Sequence, residues 1–356
     1  MPFAKRAYDY QPGSPEVLKK VYHAYKSGGI WMATIKDVAK EAGLAVGTVS
    51  RVMNNRGYIS DSARKKVEEA MKKLNYHPNE MARSLQKKYT NTIGVIVPII
   101  DHPYFAKLVS CLVEEAYRQD KKILLLSSGG LETREAEFIE LCHRNLVSGI
   151  ILCNGSINVS SFDNLHIPVI TIERKKEGDS PSIECDNWQG GVLAVEHLVE
   201  RGCRNLLHVS GQTEKSMPAD VRGNAFLETC ARKKVQGRVI RRQLKHYQLE
   251  DSDQFIGSML DQFPDTDGIF VSNDIMAVMI LEVCKKRGLN IPEDIRIVGF
   301  DDLSITCWTY PQISTIHQPI EEMAREALDT LEQMQKKKSV PSRIVLPVSL
   351  VVRGSS

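Results

Sequence analysis

The chain contains no apolar run approaching the roughly 18 residues that a membrane-spanning helix requires. Its first 31 residues carry Lys5, Arg6, Lys19, Lys20 and Lys26 but no continuous hydrophobic segment, so a secretory signal is not expected there. Its 8 cysteines form no C-x-x-C pair. They are Cys111, Cys142, Cys153, Cys185, Cys203, Cys230, Cys284 and Cys307, and most sit inside apolar stretches. That pattern predicts reduced, buried thiols of a cytoplasmic protein rather than a disulfide framework or a zinc site. No G-x-G-x-x-G follows a strand, and no P-loop, G-x-S-x-G or metal-ligand cluster occurs. His102, His143, His208 and His317 are scattered, without an evident nucleophile. The common enzyme classes lose their signatures together, and no catalytic residue or metal is expected.

What is present is length and an uneven charge. At 356 residues the chain is too long for one ordinary core, so two or three domains are expected. Its 42% hydrophobic content is normal for a globular protein. Residues 32–91 hold 12 Lys/Arg against 6 Asp/Glu, and residues 1–31 hold 5 against 2. The whole chain is only +3, so residues 92–356 carry about −6. A basic head on an acidic body is the electrostatic footprint of a nucleic-acid binder.

The basic head also has the pattern of a helix-turn-helix. Thr34 can cap a first helix, with Asp37 as its capping-box partner. Ile35, Val38, Ala39 and Ala42 fall on one helical face, and Gly43 ends it. Leu44 is a plug between helices. A second helix is expected from near Val46 to near Asn54, with Val49, Val52 and Met53 inward. Val46, Gly47, Ser50 and Arg51 remain outward, close to the helix start, where a recognition helix reaches base edges. Arg51 has the fork that pairs with guanine O6 and N7. Thr48 and Ser50 can donate to phosphates, which positions the protein without reading sequence. A cationic helix follows over 60–74.

These residues resemble the LacI/GalR family of bacterial transcription regulators. The resemblance rests on Asp37-Val38-Ala39 with Ala42-Gly43, on Thr48-Val49-Ser50-Arg51-Val52 with Asn54, and on the Leu74-Asn75-Tyr76, Pro78-Asn79, Ala82 and Leu85 pattern. It extends at lower density to the C-terminus. It implies that Val46, Gly47 and Arg51 read bases, with Thr34, Thr48, Ser50 and Asn54 beside them on the DNA. It implies a hinge helix at Asn79–Gln86, in which Asn79, Ala82 and the wedging Leu85 meet the minor groove. Ala45 stands where the family often has serine, so a phosphate-binding or capping hydroxyl is missing there.

Beyond the head, strand-like apolar runs alternate with helical stretches. Strands are expected at Thr92–Ile99, Lys122–Ser128, Gly149–Asn154, Pro168–Ile172 and Ser182–Cys185. A second set is expected at Asn205–Val209, Gly268–Ser272, Ile295–Phe300 and Ser314–His317. Continuous apolar runs suit parallel strands buried on both faces, so two successive doubly wound units are expected, with a ligand beyond the strands' carboxyl ends. Polar or aromatic residues at those ends are Tyr104, Phe105, Arg222, Asn273, Asp301 and Gln318, with Tyr247 a weaker candidate. Each has a blander reading: Asp274 can simply cap a helix, and Phe105 can be core. An arginine, acids, amides and an aromatic wall suit a polyhydroxylated ligand. The resemblance places the same positions in an effector pocket. Gly155 to Asn158 depart from its sugar-binding pattern, which leaves a purine or a protein corepressor as alternatives.

The expected fold is therefore α/β: an all-α helix-turn-helix domain with a hinge helix, joined to a two-lobed periplasmic-binding-protein-like body of doubly wound parallel sheets. Residues 1–31 form an extension, read as lying upstream of a true start at Met32 or as a real extra helix. Residues 32–78 form the DNA-binding domain and 79–91 the hinge and linker. One lobe takes 92–188 with 319–346, the other 189–318 with 347–356. The expected function is a cytoplasmic repressor that reads a pseudo-palindromic operator in double-stranded DNA as a homodimer. A small-molecule effector, a sugar or sugar phosphate, controls it, and no membrane is involved. A solute-binding protein of periplasmic type, or a global regulator with a phosphocarrier corepressor, are the competing readings.

Overall fold

The computed structural model describes residues 33–53, 57–76, 89–153, 167–174, 180–212, 217–243 and 252–356. The residues fall into two compact units, divided near Arg83 and Ser84. Residues Asn54, Asn79, Ala82, Leu85 and Tyr247, the hinge at Asn79–Gln86, and the N-terminal extension lie outside the described residues.

The first unit is built from α1 (Ile35–Ala42), α2 (Val46–Met53) and α3 (Asp61–Lys73). Its core is Val38, Ala39, Ala42, Val49, Val52, Val67 and Ala70, with Leu44 and Met53 packed against it. The inward positions read from the spacing are thus the positions buried. Gly43 ends α1 at φ 66°, the left-handed region that favours glycine. Ser60 caps α3 by accepting from the Ala63 amide at 3.3 Å.

The second unit contains two six-stranded sheets of one topology. The first sheet holds β1 (Thr92–Val97), β2 (Lys122–Ser127), β3 (Gly149–Cys153), β4 (Val169–Ile172), β5 (Ser182–Cys185) and β11 (Arg343–Leu346). Their order is β2-β1-β3-β4-β5-β11, and every pair is parallel. The second sheet holds β6 (Asn205–Gln212), β7 (Gln236–Gln243), β8 (Gly268–Val271), β9 (Arg296–Asp301), β10 (Ser314–His317) and β12 (Ser349–Val351), in the order β7-β6-β8-β9-β10-β12. Here only β12 runs antiparallel, against β10. The central strands are buried on both faces, which is why they read as unbroken apolar runs.

Helices flank both sheets: α4 (Pro103–Arg118), α5 (Glu132–Arg144), α6 (Asn187–Glu200), α7 (Val221–Lys233), α8 (Ser252–Gln262), α9 (Asp274–Lys286) and α10 (Ile320–Gln335). The chain passes between the sheets after β5, after β10 and after β11. Asn187 and Gln318 therefore sit where the lobes join.

The sequence reading missed β7, β11 and α10. β7 is an edge strand carrying Arg238, Arg241 and Arg242, so it shows no apolar run. Helix α10 buries Ile320, Met323, Ala324, Ala327, Leu328 and Leu331, a clean helical period. A 3-10 turn, Pro218–Asp220, leads directly into α7. A further feature links the lobes. Leu303 follows β9 of the second sheet, yet its side chain belongs to the core cluster of the first, which also holds Phe105, Ile172 and Ile320.

Helices α6 and α7 meet closely at Gly191. A Cβ there would fall 2.7 Å from the Arg222 carbonyl oxygen and 2.9 Å from the Ala225 Cβ, neither of which can swing away. Gly191→Ala is therefore expected to destabilise the body by about 1–3 kcal/mol, the usual cost of overpacking. Urea unfolding of the variant measures it, and an unchanged midpoint would contradict the close approach.

Candidate functional site

Two surfaces collect the candidate residues. On the first unit, the Thr34 amide donates to Asp37 Oδ2 at 2.8 Å, and the Thr34 hydroxyl donates to the same atom at 2.7 Å. These bonds hold the Asp37 carboxyl below its ordinary range. They make Thr34 first a capping residue, whose hydroxyl hydrogen is committed locally. The turn then presents α2. Its first amides lack a side-chain acceptor from Ala45, whose carbonyl nevertheless accepts from Thr48 and Val49 at 2.9 and 3.1 Å. The missing hydroxyl noted in the sequence is a real gap in the cap.

Val46 is 41% exposed, and Gly47 and Arg51 are exposed beside it. Arg51 Nε donates to the Gly47 carbonyl at 3.4 Å, a weak contact that leaves most of the guanidinium fork outward. Thr48 and Ser50 are half-buried on the flanks of the same helix. Tyr58, which the sequence reading passed over, is 96% exposed in the loop after α2. Lys73 ties α3 to α1 through Glu41 at 2.5 Å. That pair is exposed and contributes at most about 1 kcal/mol.

The second surface is a cleft at the carboxyl ends of both sheets. Tyr104, Phe105, Arg222, Asn273, Asp301 and Gln318 all line it. The cavity measures about 170 Å³. A dry cavity of about 150 Å³ accommodates benzene, so this one suits a single-ring molecule.

Each lining side chain is placed by a strand end or a helix start. His102 caps α4 by accepting from the Tyr104 amide at 3.3 Å, and burial lowers its pKa, keeping it neutral. Tyr104 and Phe105 then pack edge to face, with centroids 5.1 Å apart. Phe105 is 1% exposed and belongs to the core of the first lobe, so the core reading holds for it alongside a place in the cleft wall.

Arg222, near the start of α7, is 4% exposed. Its Nε donates to Asn187 Oδ1 at 2.7 Å and its Nη1 to the Ser272 carbonyl at 2.5 Å. Its guanidinium carbon lies 3.3 Å from the centroid of Phe300, a cation–π stack. Asn187 in turn donates to Glu173, which also accepts from the Cys185 amide at 2.6 Å. One chain of bonds, Glu173–Asn187–Arg222–Ser272, thus runs from the first lobe into the second.

Sequence reasoning missed Glu173 and Asn187. The available signal was position: Glu173 directly follows β4, and Asn187 opens α6 at a crossing. Neither carries a motif. Glu173 (φ 47°), Asp301 (φ 113°) and Asp302 (φ 59°) all adopt left-handed backbone, which is costly for residues other than glycine. Such strain persists where surroundings over-determine it and concentrates at functional sites.

One expectation is corrected. Asp274 does not cap α9. Asn273 does, accepting from the Met276 amide at 2.8 Å, which leaves its amide nitrogen for other partners. Asp274 is fully buried instead, and accepts from the Leu303 amide at 2.8 Å and the Thr315 hydroxyl at 2.6 Å. The capping position preceded the acid by one residue, and both residue types make good caps.

The electrostatics follow from burial. Desolvation pushes the Asp274 carboxyl up to about 7. Desolvation, and then the neighbouring Asp274, raise Asp301 well above the carboxylate range, with Arg222 pulling the other way. Glu173 is raised by desolvation, opposed by Arg222 and by its hydrogen bonds. His208 lies beneath, stacked on Phe270 at 4.7 Å, and burial depresses it to about 3. It is a neutral structural imidazole, not a base. Asp302 follows the opposite course. Despite desolvation, hydrogen bonds from Arg353 and His317 hold it below its ordinary range. Among the described residues no His, Cys, Asp or Glu group is arranged to hold a metal, and no helix is long and apolar enough to cross a membrane.

A pH dependence follows from the raised acids. Between their unfolded pKa of about 4 and the folded value of about 7 for Asp274, the folded state holds more protons than the unfolded one. Stability therefore falls as pH rises through this window and levels off above it. One such group contributes a slope approaching about 1.4 kcal/mol per pH unit. Thermal unfolding from pH 4.5 to 8 should show this decline in the body transition, and Asp274→Asn should flatten it. A body transition that strengthens across that range would contradict the assignment.

Family models match part of each unit. Residues 34–79 match the family model of bacterial regulatory proteins, lacI family, and residues 195–356 match a periplasmic binding protein-like domain. The ribose operon repressor of Bacillus subtilis is 34% identical over 91% of this chain and 99% of its own length. The lac repressor dimer, solved bound to operator and the anti-inducer ONPF, is 26% identical, with TM-score 0.78 over 91% of this chain and 99% of that one. A periplasmic binding protein/LacI transcriptional regulator from Alkaliphilus metalliredigens, complexed with D-xylulofuranose, is 31% identical, with TM-score 0.68 over 75% of this chain and 99% of that one. With a helix-turn-helix unit, a two-lobed body and relatives of this identity along nearly their whole length, the chain belongs to the LacI family of bacterial regulatory proteins, which are DNA-binding transcriptional repressors and not enzymes.

Proposed function

We propose that this repressor reads a pseudo-palindromic operator as a homodimer and is controlled by a sugar or sugar phosphate held between the lobes of its body. The observation that carries the effector reading is the convergence of Arg222, Asp301 and Gln318 on one cleft at the carboxyl ends of both sheets. Two half-sites one helical turn apart require two recognition helices, hence the dimer. Val46, Gly47 and Arg51 meet base edges. Thr34, Thr48, Ser50 and Asn54 lie along the backbone, and Asn79, Ala82 and Leu85 engage the minor groove. Tyr104, Phe105, Arg222, Tyr247, Asn273, Asp301 and Gln318 hold the effector. The protein acts in the cytoplasm, where its DNA is.

The control is a difference of affinities. The effector biases the lobes only as far as it binds one arrangement better than another, with a typical coupling of about 1–3 kcal/mol. The bias reaches the DNA-binding unit through the 79–91 segment that joins it to the body. Fluorescence anisotropy with pseudo-palindromic DNA from the gene's own upstream region, at two salt concentrations and with a sugar panel, tests the whole reading. Binding with a steep salt slope that a sugar shifts is expected. Sugar binding without any DNA binding would sink it.

Two variants resolve the base-reading surface. Arg51→Ala should lose about 1–3 kcal/mol on the operator and far less on unrelated DNA. Gly47→Ala places a Cβ where nothing lies within 4 Å, so the fold tolerates it. It should stabilise α2 by about 0.5 kcal/mol, glycine being the weaker helix former. A lower operator affinity in that variant then reports a DNA contact and not a folding defect, and an unchanged affinity removes Gly47 from the interface.

A further inference from the structure

The charge of the cleft is lopsided. Among the described lining residues Glu173, Asp220 and Asp301 are acids, and Arg222 is the cation. Lys107 acts on Asp301 from outside the lining, where its ammonium pairs with Glu321 at 3.2 Å. Asp274, behind Asp301, adds a further carboxyl. Arg222 already donates to Asn187 and to the Ser272 carbonyl, so part of its fork is occupied. A phosphate or carboxylate entering here meets more carboxyl groups than cationic ones.

The hydrogen-bonding inventory tilts the same way. Gln318 is 1% exposed and lines the cleft, and its amide nitrogen donates to the Tyr104 hydroxyl at 3.5 Å. Its amide oxygen is buried with no partner among the described residues. A buried acceptor without a donor is costly, and a ligand hydroxyl satisfies it. Asp301 also presents acceptor oxygens. The cleft is therefore acceptor-rich, and a molecule bearing several hydroxyls and no negative charge complements it.

We propose that the cleft selects an uncharged, single-ring polyol and turns away the phosphorylated or carboxylated form, with Glu173 and Asp220 on the cleft wall setting that selectivity. This rests on the effector reading above and narrows it. The cavity volume of about 170 Å³ suits one ring. Glu173 and Asp220 both line the cleft. Asp220 is half-buried and fixed by accepting from the Met217 amide at 2.7 Å. Desolvation first, and then the neighbouring Asp274, raise the Asp301 carboxyl.

The test is calorimetric titration of the full chain at pH 7.5 with matched pairs: D-ribose and ribose 5-phosphate, D-glucose and glucose 6-phosphate, D-fructose and fructose 6-phosphate. At least one free sugar should bind at least about 100-fold more tightly than its phosphate. In Glu173→Gln that ratio should fall at least about tenfold. Should this variant not fold, as judged by circular dichroism, Asp220→Asn supplies the same readout at a half-exposed position. A phosphate that binds as tightly as its free sugar, or a ratio unmoved in a folded variant, overturns the proposal and leaves the effector cleft intact. Failure of every compound to bind removes the effector reading and this one with it.

Discussion

A single buried guanidinium organises the body of this protein. Arg222 stacks on Phe300, donates to Asn187 and to the backbone after β8, and lies in the field of Glu173 and Asp301. Burying a charge costs several kcal/mol unless partners surround it, and removing one partner of a buried pair leaves the other exposed to the same penalty. Here the partners come from both lobes. Glu173 belongs to the first sheet, Asn187 to a crossing, and Ser272 to the second sheet. The cation therefore does more than attract a ligand, because its solvation by protein groups ties two separately built sheets to one geometry.

The acids around it give that geometry a second property. Asp301 and Asp274 sit close enough to oppose each other's ionisation, and burial adds to the effect. Asp274 nevertheless holds the Leu303 amide and the Thr315 hydroxyl, bonds that favour its charged form. Asp274, pushed up to about 7, is therefore the carboxyl whose protonation changes near neutral pH. Binding and proton release are linked through the same carboxyls.

Much of this was legible in the sequence, for identifiable reasons. Capping at Thr34, the turn at Gly43 and the inward Val49 and Val52 follow local rules in which short spacing decides the structure. The runs around Val95, Ile151 and Ile269 read as strands because central parallel strands are apolar on both faces. Tyr104, Arg222, Asn273, Asp301 and Gln318 were found because they sit at strand ends or helix starts. Edge strand β7 was not legible, since Arg238, Arg241 and Arg242 interrupt any apolar run. Glu173 and Asn187 were not legible either. Their roles arise from burial and from residues far away in sequence, and no local pattern distinguishes a buried glutamate from a solvated one. The capping of α9 was assigned one residue late because Asn273 and Asp274 are chemically equivalent candidates until packing chooses between them.

The seating of Leu303 sets a mechanical limit on the body. Its backbone is anchored to Asp274 in one lobe while its side chain fills the core of the other. Withdrawing a leucine from a core into water costs about 1.5–3 kcal/mol, comparable to the whole coupling an effector typically supplies. Motions that unseat it would therefore use up most or all of what such a ligand supplies. The inexpensive ones rotate the lobes about that side chain as a ball turns in its socket. The cleft and the far ends of the lobes then travel most, and the residues around Leu303 hardly at all.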